Sequence, residues 1–253
     1  MGLFYKREIP GPAVDLSGVV IPNPVGLISG YDRHAKFYHL PANKMYGFIS
    51  LGPVEADTAR LKDVIASVQA HPTDAVLNTV LSHRPTSHGE DAIVDDYNFA
   101  FSMLYDFSDM FTIDTSISYS DASTPLRDIA LLKDVLNSML QLRLCHEEYR
   151  PIIVKVRPEI PESSLDELLD FARMSGIDAI CVSQGPNCAA TVRTIYDKTL
   201  GRYPIAACVS VLKKKDCAEL KRAGASLIAG GLSFLHYGPG NTKRVIKYLY
   251  RIK

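Results

Sequence analysis

An α/β chain folded as a (β/α)8 TIM barrel behind an N-terminal β-hairpin is predicted by three observations. Short continuous apolar runs recur eight times after residue 24, each followed by a stretch with helical spacing. Successive rather than alternate positions in these runs are apolar, as in strands of a parallel sheet covered on both faces. The 253 residues contain no linker or low-complexity break, so one domain spanning 1–253 accommodates the eight units. A doubly wound open sheet is the other architecture this alternation allows, but no G-x-G-x-x-G turn follows the first strand.

The elements follow in order. Two apolar pieces around Ser17-Gly18, within 14–24, predict the hairpin. Val25–Gly30 is the first barrel strand, and 35–44 is a short helix interrupted by Pro41. Strand two is Tyr46–Val54, followed by a helix over 56–70 with Leu61, Val64, Ile65 and Val68 on one face. Strand three is Ala75–Leu81, then a long helix over 90–106. Strand four spans 110–118, and Thr124 with Pro125 reads as the start of a helix reaching about Glu148. Strand five is PIIVKVRPE, 151–159; Ser163 or Ser164 caps the helix over 165–174. Strands six, seven and eight are 179–184, 205–212 and 227–232, with helices over 188–200, 216–223 and 242–251.

Composition excludes several function classes. Lys plus Arg and Asp plus Glu number 28 each, so no net charge draws the chain to nucleic acid or an anionic membrane. The five cysteines are scattered through apolar runs, with neither disulfide-framework nor zinc-ligand spacing, as expected of a reducing compartment. The N-terminal MGLFYKREIPGP has no signal-peptide pattern, and no apolar run approaches membrane-spanning length. A cytoplasmic protein is expected, with no membrane and no metal; a homodimer is a candidate assembly.

Polar residues inside or just beyond the apolar runs point to a site. Lys155 lies within strand five, where an ammonium needs an anion or an acceptor. Two readings are open: it pairs with a nearby acid or snorkels to an edge, or it serves a ligand. Asp32, Arg33, Asn78, Asp114 and Gln184 recur near the ends of other strands, and a barrel gathers strand C-termini at one mouth. That recurrence favours a ligand. His34 and His39 have no third ligand candidate for a metal. Cys181 and Cys208 read as small core hydrophobes. Lys213-Lys214-Lys215 reads as a solvated helix start, with an anion role as the other reading.

Taken together, NPVGLISGYDR at 23–33, PIIVKVRPE at 151–159, GIDAICVSQ at 176–184, and GRYPIAACVSV followed by RAGASLIAGGL resemble, in order, motifs of the dihydroorotate dehydrogenases. The resemblance runs from about residue 14 to the C-terminus. It implies an FMN-binding barrel that oxidises dihydroorotate to orotate in pyrimidine biosynthesis. Carried over residue by residue, it assigns Lys155, Ser183, Gly230 and Gly231 to the cofactor and Arg33, Asn78, Asp114 and Gln184 to the substrate. The absence of an amphipathic N-terminal extension argues against the membrane-bound, quinone-linked form.

Departures fall on the same pocket. Arg33 stands where the family has lysine, and Gln184 and Asp114 where it has asparagine. The Asp114 carboxylate would repel an anionic substrate unless neutralised. An ungapped match puts Ile117 at the position of the catalytic base, with Ser116 and Ser118 on either side; a slip in the loop would use Ser118 or Ser120. The strand-seven glycines that let a phosphate approach are Cys208, Ser210 and Val211 here, while Gly230-Gly231 stand in strand eight. Those glycines either restore close approach or make room for a helix. The alternative to a dehydrogenase is therefore a degenerate barrel that binds a phosphorylated metabolite or a protein partner. If Lys155 serves a ligand, its removal is expected to weaken binding and spare folding.

Overall fold

The computed structural model describes residues 13–115, 128–231, 233–238 and 240–252. Strands β1 (Val14–Leu16) and β2 (Val19–Ile21) pair antiparallel as the hairpin. Eight parallel strands then close into a barrel: β3 (Val25–Leu27), β4 (Phe48–Glu55), β5 (Val76–Ser82), β6 (Met110–Asp114), β7 (Ile152–Val156), β8 (Ala179–Val182), β9 (Ile205–Val209) and β10 (Leu227–Gly230). Each pairs with the next, and β10 closes on β3. The helices are α1 (Thr58–Ala70), α2 (Glu90–Leu104), α3 (Ile129–Arg143), α4 (Glu162–Ser175), α5 (Cys188–Lys198), α6 (Lys214–Ala223), the short α7 (Ser233–Tyr237) and α8 (Asn241–Leu249).

Two apolar layers follow from strand alternation. The larger lies between barrel and helices and holds Leu27, Ile49, Leu61, Phe101, Val154, Ile180 and Val245. The smaller fills the barrel, where Phe48, Val76, Met110, Ile153, Ala179 and Leu227 pack. Leu16 and Ile21 of the hairpin belong to this inner layer, so the hairpin plugs one end of the barrel. The other end is left for a site.

Several helix starts differ from the expectation. α4 begins at Glu162 with Pro161 at the N-cap, not at Ser163 or Ser164, because the fixed φ of proline suits a helix entry. Where the chain is described, α3 starts at Ile129, with the Asp128 carboxylate accepting from the Ala130 amide, and ends at Arg143 rather than Glu148. The expected start at Thr124-Pro125 lies outside the described residues. Between β3 and β4 only a 3-10 turn, Pro41–Asn43, forms. Helix α7 had no periodic signal because it is a single short turn.

The loops rising from β3 and β5 are tied down by buried carboxylates. Asp32 accepts the backbone amides of Lys36, Phe37 and Tyr38 at 2.7–2.8 Å. The same loop is held to β4 by the Gly30 amide donating to Gly52 O and the Gly52 amide donating to Asp32 O. Gly52 has φ +105°, and a Cβ there would lie 2.5 Å from Val80 O, so glycine is required. Asp96, on α2, accepts from the Arg84 amide, Arg84 Nε and Ser87 Oγ at 2.6–2.9 Å.

Burial opposes the charge on Asp96, but hydrogen bonds from Arg84 and Ser87 outweigh it and hold its carboxyl below the ordinary carboxylate range. A carboxyl depressed in the folded state stabilises the fold above its unfolded value and loses that contribution as pH falls. Thermal melts should therefore show a Tm that declines as pH drops below about 4, with a shallower decline in Asp96→Asn. Identical declines in both proteins would show that Asp96 does not contribute.

Candidate functional site

The C-terminal ends of the strands meet at the end of the barrel opposite the hairpin. A pocket of about 370 Å³ opens there, bordered by Ile28, Ser29, Gly30, Arg33, Pro53, Lys155, Arg157, Pro158, Glu159, Ser183 and Gln184. Its walls come from the loop after β3, the irregular middle of β4, the end of β7 and the residues after β8. Three cations converge on it. Ser183 is buried, its amide donating to Val156 O at 2.8 Å, while Arg33 and Gln184 are exposed at the rim.

Register brings Lys155 beside Asp114, its Cα partner on β6. Lys155 Nζ donates to Asp114 Oδ2 at 2.7 Å, and the two side chains are 9% and 1% exposed. Burial opposes the lysine's charge, but the Asp114 carboxylate overcomes it and holds its pKa above the ordinary lysine value. Lys155 thus pairs with an acid and also borders the pocket. The fold shows the acid pair, and it also keeps the lysine at the pocket. Because of this pair, removal of Lys155 is expected to cost stability as well.

Asn78 lies deeper, in the body of the barrel. Its Nδ2 donates to Ser50 Oγ at 3.0 Å, and its Oδ1 accepts from Thr112 Oγ1 at 2.9 Å. It borders an interior cavity of about 30 Å³ that Lys155 also lines, but not the larger mouth pocket. Cys181 and Cys208 face the same interior with their sulfurs 3.6 Å apart. The contact with Cys208 and burial push the Cys181 thiol well above its ordinary range. Both behave as the core residues the sequence suggested.

Gly230 and Gly231 do not border the mouth pocket. A Cβ on Gly230 would overlap the Leu212 side chain, and one on Gly231 would lie 2.5 Å from Ser210 O. The Gly231 amide donates to Val209 O and Ser210 O, and Gly231 O accepts from the Ser233 amide. Both glycines pack tightly against the loop after β9, Gly230 against Leu212 and Gly231 against Ser210, rather than against a helix.

The fold thus gathers Arg33, Lys155, Ser183 and Gln184, sets Asp114 behind Lys155, and leaves Asn78 below. Ser116 and Ser118, with Ile117 and Ser120, lie outside the described residues. Sequence reasoning missed Arg157 and Glu159. For Arg157 a signal was present, since it follows Lys155 by two at the end of β7 and so shares its side; Glu159 lies in the turn that follows, closed by the Ile160 amide donating to Arg157 O at 3.2 Å, and alternation does not place it.

No family model matches the chain. It is 22% identical over 279 residues to dihydroorotate dehydrogenase (quinone) of Christiangramia forsetii, covering 91% of this chain and 82% of that protein. To the protein of the same name from Idiomarina loihiensis it is 23% identical over 303 residues, covering 98% and 90%. Among solved structures, ligand-free DHODH from Eimeria tenella matches with a TM-score of 0.84 at 18% identity, over 98% of this chain and 92% of that one. DHODH from the same organism in complex with ferulenol gives 0.83 at 19% identity, over 97% and 85%.

Proposed function

We propose that this chain, a divergent relative of the dihydroorotate dehydrogenases, takes a small anionic ring such as dihydroorotate at the mouth of its barrel and acts as a flavin-dependent oxidoreductase. The observation that carries this reading is the convergence of Arg33 and Arg157 on one pocket with Ser183 and Gln184, beside the Lys155 that Asp114 neutralises. Cations at a strand-end pocket attract a carboxylate, and the glutamine amide supplies a donor and an acceptor for ring heteroatoms. FMN, when bound, supplies the hydride acceptor for such an oxidation. Lys155 and Ser183 would hold its ring. A hydroxyl of Ser116 or Ser118, which follow β6 in sequence, would take the proton.

The phosphate end of FMN fits less well. Leu212 occupies the space a side chain at Gly230 would need, and the Gly231 amide is bound within the protein. These observations, with the commitment of Lys155 to Asp114, favour a second reading: a barrel that keeps the ligand pocket without dehydrogenase chemistry. Titration with FMN separates the two. The oxidoreductase reading expects saturable uptake of about one FMN per chain at a preformed site, with visible flavin absorbance that dihydroorotate bleaches slowly. Protein that takes up no added FMN, or whose bound flavin dihydroorotate never bleaches, overturns it in favour of the second.

A further inference from the structure

Charge balance in the mouth singles out one residue. Lys155 and Asp114 neutralise each other inside the barrel. Arg33 sits exposed at the rim and is not without a partner. Arg157 is different. It follows Lys155 by two residues into the same pocket and is half-buried. Its guanidinium makes no hydrogen bond or ion pair with any described residue, Glu159 included.

Among the described residues no anion compensates this half-buried guanidinium, and an unpaired charge taken from water is costly, so the arginine is suited to an anion held in the pocket. Its planar fork matches a carboxylate through two parallel hydrogen bonds, which a lysine cannot offer. We propose that Arg157 is the residue by which this chain recognises the carboxylate of its ligand, a role Lys155 cannot fill while paired with Asp114. This rests on reading the mouth as a ligand site. The ligand class is a small planar carboxylate whose ring heteroatoms meet Gln184.

Calorimetric titration tests this with three probes: orotate, uracil (the same ring without the carboxylate) and succinate. Wild type should bind orotate more tightly than uracil. Arg157→Gln should lose about 10–100-fold in orotate affinity, the range for a charge-assisted hydrogen-bonded pair, with uracil binding and Tm unchanged. Arg157→Lys should fall between, since charge survives and the fork does not. Orotate bound equally by wild type and Arg157→Gln overturns the assignment, as does a wild type that binds no carboxylate at all. If wild type binds succinate but not orotate, and Arg157→Gln abolishes succinate binding, the anion role of Arg157 stands while the planar-ring ligand class and the dihydroorotate reading both fall.

Discussion

Lys155→Ala is expected to lower unfolding free energy by about 3–5 kcal/mol, because it leaves the Asp114 carboxylate buried without its cation. At about 2–4 °C per kcal/mol for a chain of this size, Tm should drop by about 10 °C. The cost belongs to the orphaned charge rather than to the worth of the pair, so a second substitution should reverse it. Lys155→Met combined with Asp114→Leu removes both charges and fills the space, and should recover most of the loss. Chemical denaturation of the single and double variants measures the coupling. If Lys155→Ala melts like the wild type, the 2.7 Å contact contributes nothing to the fold.

Asp178→Ala should destabilise the protein by a similar amount, about 3–5 kcal/mol, through a different end of the same strand. Asp178 Oδ2 accepts from Arg143 Nη1 and from the Ile152 amide, each at 2.8 Å, and Oδ1 accepts from the Tyr149 hydroxyl at 2.8 Å. Arg143 also donates to Gly176 O at 2.9 Å and stacks its guanidinium 4.2 Å from the Tyr149 ring centroid. Truncation would strand a buried guanidinium and a backbone amide at the start of β7, the strand that delivers Lys155. Asp178→Asn keeps the shape and part of the bonding, so it should cost less. Equal, small losses in both variants, measured by urea unfolding, would show that the network is not needed.

Much of the barrel was legible because strand and helix patterns are local. The proline- and glycine-bounded apolar runs located all eight barrel strands, and Lys155 stood out as a cation inside one of them. Helix starts were less legible. Serine is a good N-cap in general, yet Pro161 takes that position in α4, and Asp128 takes it in α3. Which nearby cap is used depends on where the preceding strand releases the chain.

The sequence by itself determined the parallel α/β barrel, the hairpin and the strand ends from which the pocket is built. Only the tertiary structure decided what each polar residue does there. The register of β6 against β7 places Asp114 opposite Lys155 and converts a candidate ligand cation into half of an ion pair. Alignment of β5 between β4 and β6 gives the Asn78 amide to Ser50 and Thr112. Leu212, eighteen residues before Gly230, fills the space beside that glycine. Periodicity is a property of neighbours along the chain, whereas register, barrel closure and the partner of a buried charge are set by segments far apart in sequence, and the cost of an unpaired buried charge selects among them.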